Sequence, residues 1–566
     1  MVCLTSSDVP SQACLVLTYF PAVIIKHQGK KYDVEVDTTS TGEVLKYQLY
    51  SLTGVEPERQ KILIKGGQLK DDTDLSKLGL KPGQVIMMMG TPGEGGGAIQ
   101  RPTEKIKFIE DMTEAEAAQQ AGATPAGLIN LGNTCYLNAT LQALRSIPEL
   151  QDALSKHKHT SMSEIPQLDI TNQLKELFKL MSETQGGLAP LAFLNALRTT
   201  FPQFAERSRK GPGYAQQDAE EAWSQIVSQL RQKLKLEIPG EGGASQSVSF
   251  VDKYMAGEFS TTLECDDPAA LEGGEQPTSS KEAFFKLDCH IDNQTSHLRD
   301  GLLSGLTEKI KKRSEVLGRD ATYTKTSKIS RLPKYLTVHF LRFFWKRDVQ
   351  KKAKIMRKVT FPHELDIVEF CTDDLKKALI PVRDKVREVR KEEEDIERAR
   401  KRRKKNPLTD GEAKEANTKE EKKPTASADG DIVMTETYKT DAEWEAEKDA
   451  SLLAAKKELN ALIDPELRKD DGANQSGIYE LRAVVTHQGA STDSGHYTAY
   501  VKKAAPKDPV TGKVGTEDGN WWWFNDDKIS EVTPDKIDAL AGGGESHSAL
   551  ILLYKAIPLP DAEGAL

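Results

Sequence analysis

The stretch Gly127-Leu-Ile-Asn-Leu-Gly-Asn-Thr-Cys135-Tyr-Leu-Asn-Ala-Thr-Leu-Gln-Ala-Leu144 joins a polar, glycine-containing lead-in to a helix pattern. Leu137, Leu141 and Leu144 recur at helical spacing, so the helix opens at Cys135. A residue in the first turn meets unpaired backbone N–H groups and the positive end of the helix dipole, both of which favour an anion. A thiol attacks a carbonyl well only as thiolate. A cysteine in this setting therefore serves either as a nucleophile or as a structural residue of the helix. The cysteines at 3, 14, 265, 289 and 371 have no comparable setting.

Outward from this point, the chain reads as a mixed domain from about Lys105 to Tyr554. Its early part is helix-rich, with Trp223, Ile226, Val227 and Leu230 at helical spacing; its later part holds short strands at Tyr335 to Phe340, Tyr479 to Val485 and Tyr497 to Val501. The class is α+β. A charged interruption runs from about 383 to 475. Within it RKEEEDIERARKRRKK (390–405) has helical composition and almost no apolar stripe, and TKEEKKPTASADG (418–430) has the composition of a disordered segment. The basic run Lys401 to Lys405 is read as a solvated face ahead of a nuclear signal or a nucleic-acid patch.

Upstream lies a smaller unit, 23–90. Tyr32, Val34 and Val36 alternate with charged residues as in a half-buried strand. Ser40 and Glu43 have capping-box spacing ahead of Leu45, Leu49 and Leu52 on one helical face. Ile62-Leu63-Ile64 and Val85 to Met89 complete a strand-strand-helix-strand-strand order, which predicts a β-grasp fold. Residues 91–104, rich in glycine, read as a flexible linker, 1–22 as an N-terminal extension and 558–566 as a tail.

Composition narrows the class further. The 78 basic residues nearly balance 86 acidic ones, for a net charge of −8, and give no reason to expect nucleic acid as a partner. The longest apolar stretch, Ala13 to Ile25, is interrupted by Thr18, Tyr19 and Pro21 and is too short to cross a bilayer, so no membrane association is expected. Unpaired cysteine spacing points to a reducing, intracellular compartment, and the cytoplasm and nucleus are the expected locations. There is no Cys-x-x-Cys pair and no phosphate-cradling glycine loop, since Gly542-Gly543-Gly544 lacks a following Lys-Ser/Thr. Neither metal nor cofactor is expected.

The lead-in and helix at 127–144 resemble the cysteine box of ubiquitin-specific proteases, and YELRAVVTHQGASTDSGHYTAYV (479–501) resembles their histidine box. The segment at 52–90 is similar to ubiquitin. These resemblances imply a ubiquitin-like domain followed by a papain-like catalytic domain with thumb, palm and fingers. They imply Cys135 as nucleophile, His496 as base and Asn130 as an oxyanion donor. His487, inside a strand, is read as structural. For the group orienting the base, WWWFNDDKIS (521–530) offers Asn525 first and Asp526 second; many members of the family carry Asp there. GYAQQDAEEAW (213–223) resembles the segment lining the channel for ubiquitin's tail, so Gln217, Asp218 and Tyr497 are expected to contact substrate, with Asp218 also able to cap the Trp223 helix. SRLPKYLTVHFLRFFWK (330–346) and KVTFPHELDI (358–367) are read as palm core.

The expected partners are ubiquitin and its conjugates. The whole chain is similar to the proteasome-associated subfamily, which implies that the ubiquitin-like domain docks on the base of the 26S proteasome regulatory particle. The same resemblance implies two loops gating the site, near Phe344 to Lys354 and Gly489 to Ser494.

Overall fold

The computed structural model describes residues 22–90, 118 and 122–560, except 28–29, 37, 39, 54, 56, 65–66, 82, 159–165, 209–212, 240–244, 347–350, 406–440, 492–493, 507–514, 516 and 545. The readings of 1–21, the 91–104 linker and the 418–430 segment lie outside the described residues. The chain divides into two compact units, Met1–Lys107 and Phe108–Leu566.

In the first unit, strands β1 (Ala22–His27), β2 (Lys30–Glu35), β3 (Lys61–Ile64), β4 (Gly67–Gln68) and β5 (Val85–Met89) form one sheet in the order β2-β1-β5-β3-β4, joined across by helix α1 (Gly42–Thr53). Strand alternation sends Val23, Ile25, Val34, Ile62, Ile86 and Met88 to the helix side, where Leu45 and Leu49 of α1 meet them. One expectation shifts. Leu52 is 42% exposed, in the last turn, and Val55 joins Leu49 in the core. The first amides of α1 reach backbone carbonyls, Gly42 N–H donating to Thr73 O (2.7 Å) and Glu43 N–H to Asp71 O (3.0 Å).

The second unit begins with helices α2 (Cys135–Arg145), α3 (Pro148–Lys156), α4 (Ile170–Ser182), α5 (Leu191–Thr200) and α6 (Ala219–Lys233). A hairpin follows, β6 (Lys235–Pro239) with β7 (Ser245–Ser249), then an antiparallel sheet of β8 (Gly257–Cys265), β9 (Thr278–Phe284), β11 (Thr307–Arg313) and β12 (Asp320–Arg331) in the order β11-β12-β8-β9. The large sheet runs β10 (Leu287–Cys289), β13 (Tyr335–Phe340), β21 (Ser548–Ala556), β17 (Ile478–Ser491), β18 (Ser494–Lys502), β19 (Trp521–Asn525) and β20 (Lys528–Val532), with β16 (Glu364–Asp366) also paired to β17. A hairpin of β14 (Phe343–Lys346) and β15 (Lys351–Lys354) leaves β13.

This large sheet is covered on both faces. Ile551 and Leu553 belong to the cluster with the helices, whereas Leu552 and Tyr554 belong to the cluster on the opposite side. A strand buried twice over must be apolar at every position, which is why SALILLY reads as an unbroken run. The predicted palm strand Tyr335–Phe340 is buried throughout.

The charged interruption is, where described, a helical hairpin: α7 (Asp373–Lys405) runs antiparallel to α8 (Asp441–Leu462). Its root is apolar, with Val382, Val386 and Val389 packing on Leu459, Ile463 and Ile478. Lys385 pairs with Glu458 (2.6 Å) within this root, and further out Lys456 pairs with Glu393 (2.8 Å) and Arg400 with Asp449 (2.6 Å). The stripe missing from 390–405 thus lies a few residues earlier. The interruption also ends sooner than expected, because Asp470 pairs with Arg331 and Asn474 is buried at 1%.

Candidate active site

Helix α2 is buried along its length from Cys135 to Leu144. Its polar side chains hold the lead-in: Asn138 Nδ2 donates to Leu128 O (3.2 Å) and Gln142 Nε2 to Ala126 O (2.9 Å). Gly127 sits so close to the β19–β20 turn that a Cβ there would stand 2.7 Å from the Asp527 backbone. The loop at 130–134 is shaped by Asn130, whose Oδ1 accepts from Gly132 N–H (2.9 Å) and Thr134 N–H (3.3 Å). Its Nδ2 donates to Asp526 Oδ2 (3.0 Å), and Asn138 Nδ2 to Asp526 Oδ1 (2.8 Å).

Strand β18 carries His496 against α2. Entry to this strand requires Gly495, at φ 144°, where a Cβ would lie 2.2 Å from Gln488 O. His496 Nε2 stands 2.6 Å from Asn525 Oδ1. An amide oxygen only accepts, so Nε2 carries the proton and Nδ1 is left as the base. It is Asn525 that meets the ring. Asp526, the second choice, directs both oxygens at Asn130 and Asn138 instead.

Cys135 is 3% exposed. Burial pushes its thiol up to about 11, the backbone N–H of Tyr497 pulls it down, and the Asp526 carboxylate pushes it up again. The N–H groups of Tyr136 and Cys135 lower it as the helix start predicts, but burial outweighs them. The resting thiol is protonated at neutral pH.

The segment before α6 faces the same thiol. Gln216 Nε2 lies 3.9 Å from Cys135 Sγ, a contact with Gln216 that reading the sequence missed. Neighbours in an extended run point to opposite sides, and nothing in the Gln216-Gln217 doublet says which one faces the site. Gln217 is half-buried, and its Nε2 has no protein hydrogen-bond partner among the described residues. Asp218 caps α6, accepting from Glu220 N–H (3.0 Å). The expectation for Tyr497 is corrected: its ring is 0% exposed and packs on His487 (4.6 Å between centroids), so only its backbone faces the thiol.

His487 is equally buried, edge-on to Phe343 (5.3 Å). Burial first, then Lys354, His547 and His496, hold it down to about 3, so it stays neutral. Lys354 Nζ donates to His487 O (2.6 Å) and ties the β14–β15 hairpin to β17. Among the described residues no group of His, Cys, Asp or Glu is placed to hold a metal, and no helix is long and apolar enough to cross a membrane. Cys135, Cys265, Cys289 and Cys371 are free thiols.

Comparison with known proteins adds to this geometry. Residues 126–554 match the family model "Ubiquitin carboxyl-terminal hydrolase", and 23–93 match "Ubiquitin family". The chain is 44% identical to Ubiquitin carboxyl-terminal hydrolase 6 of Schizosaccharomyces pombe, over 94% of this chain and 98% of that protein. It is 38% identical to Ubiquitin carboxyl-terminal hydrolase 6 of Arabidopsis thaliana (95% and 99%) and 31% identical to Ubiquitin carboxyl-terminal hydrolase 14 of Caenorhabditis elegans (95% and 93%).

Proposed function

The chain belongs to the ubiquitin carboxyl-terminal hydrolase family, a deubiquitinating cysteine hydrolase with an N-terminal ubiquitin-like domain, and on that premise we propose that it trims ubiquitin from substrates held at the proteasome. The ubiquitin-like domain docks the enzyme on the base of the regulatory particle, in the cytoplasm and nucleus, and the released ubiquitin is recycled. The observation that carries the chemistry is the hydrogen bond from His496 to Asn525 on strands packed against the helix that Cys135 opens.

In this reading, His496 Nδ1 takes the thiol proton as Cys135 Sγ attacks the carbonyl of ubiquitin's C-terminal glycine. Burial raises the thiol to about 11, so transfer of its proton to His496 is part of the barrier to attack. Negative charge grows on the carbonyl oxygen, where the Asn130 amide, held rigid by Asp526, and the backbone N–H groups at the start of α2 stabilise it. His496 returns the proton to the leaving amine, then activates water to release ubiquitin from the thioester. Gln216, Gln217 and Asp218 line the approach of the tail. The β14–β15 hairpin, tied to β17 at His487, and the loop near Gly489 to Ser494 gate the entry.

The test is hydrolysis of a ubiquitin C-terminal fluorophore by the full chain, alone and with purified proteasomes, beside Cys135→Ala. Slow turnover alone that rises with proteasomes and vanishes in the variant supports the reading. Turnover indifferent to proteasomes removes the docking and gating, and turnover surviving in Cys135→Ala removes the nucleophile.

A further inference from the structure

The run Gln216 to Asp218 is stretched between two anchors. At one end the Tyr214 ring lies beneath the guanidinium groups of Arg198 (3.6 Å) and Arg207 (4.7 Å), and Tyr214 O accepts from Asn133 Nδ2 (2.9 Å) in the loop before Cys135. At the other end Glu220, in the first turn of α6, reaches Lys286 Nζ (2.6 Å), while Ser224 Oγ donates to the same carboxylate oxygen (2.6 Å). Lys286 stands just before β10. It also faces Asp288 (3.5 Å), which in turn meets Nδ1 of His339 (3.0 Å), its register partner on β13.

Charges therefore alternate from the helix bearing the substrate segment to the sheet bearing the base. The Glu220 and Lys286 side chains keep only 19% and 31% of their exposure, so solvent screens this pair less than it screens a surface one. Burial would raise the Glu220 carboxyl, yet Lys286 and Ser224 hold it below the usual range.

We propose that Lys286 is a positioning residue: by tying Glu220 to the sheet it fixes where Gln216 to Asp218 stand over Cys135, and so where ubiquitin's tail is held. This rests on the reading of Cys135 as nucleophile and of 216–218 as tail contacts. Loss of a tail contact made equally before and during attack appears in KM, not in kcat.

The experiment is steady-state hydrolysis of the ubiquitin fluorophore by full-length Lys286→Met, Glu220→Gln, the double variant and Lys286→Arg. Alkylation of Cys135 by iodoacetamide and thermal melting are measured on each. Each single variant should raise KM roughly 3-fold to 10-fold, with kcat and the alkylation rate within about 2-fold of wild type. The double variant should be no worse than the worse single, because both remove one link. Lys286→Arg should stay near wild type. Additive losses, or a loss in Lys286→Met with Glu220→Gln silent, would overturn the proposal, the latter by making Lys286 a direct ubiquitin contact. A parallel fall of kcat, alkylation and melting temperature would reduce the link to ordinary stability. Should Cys135→Ala retain turnover, the reading beneath the inference fails and the inference with it, an outcome told apart because it needs no change at Lys286.

Discussion

Asp526 occupies a left-handed backbone, φ 55°, that few side chains tolerate and Asp tolerates better than most. The conformation turns its carboxylate back onto Asn130 and Asn138. One residue earlier, Asn525 keeps extended backbone and faces the imidazole, so adjacent residues serve opposite walls of the site. Asp526→Gly preserves the turn and deletes the carboxylate. We expect kcat to fall about 10-fold to 100-fold, since the Asn130 amide is no longer held for the oxyanion, with KM changed little. An unchanged kcat in steady-state assays would mean that Asn130 is placed by its other hydrogen bonds alone. The resemblance put Asn525 first, as the structure has it, but that Asp526 holds Asn130 and Asn138 was not legible in the sequence. Both residues carry acceptors, and the choice depends on one backbone angle at a turn.

Elements were more legible where burial dictates periodicity. The α2 pattern, the twice-buried strands and the β-grasp order all follow from apolar spacing. What spacing could not convey is which strands share a sheet, or that Cys135 lies deep enough for burial to override its helix start. The charged hairpin was half legible: helical composition shows in RKEEEDIERARKRRKK, but the acidic start of α8 that answers its arginines lies across 406–440 in sequence. The hairpin changes character along its length. Near Val386 apolar contact holds α7 to α8, whereas near Arg400 the pairing is between exposed charges worth about 0.2–1 kcal/mol each. Amide hydrogen exchange should therefore be slow at 379–389 and fast at 392–402, and 1 M salt should accelerate only the outer part. Uniform protection along α7 would contradict the ion-pair account.

For the molecule as a whole, acid is the informative stress. His487 and His547 are held down to about 3 and about 4, chiefly by burial, from an ordinary value near 6.5. Between these limits the unfolded chain binds protons that the folded chain refuses, so stability is full above about pH 6.5 and lost as pH falls through 4 toward 3. Melting temperature should drop across that range, and drop less in His487→Phe, which keeps the aromatic packing without the proton. On the other unit, Leu63 and Met87 are paired across β3 and β5 and are 44% and 51% exposed. Met87→Asp should leave hydrolysis by the free enzyme unchanged and remove most of the stimulation by proteasomes in the fluorophore assay, if this apolar face does the docking. The depth of Cys135 matters in a further way. Oxidation of cysteine follows thiolate content and access, and a resting thiol that is protonated and 3% exposed offers peroxide little of either. Idle enzyme should thus lose activity to peroxide only slowly, and a sulfur acylated in the thioester is out of peroxide's reach as well.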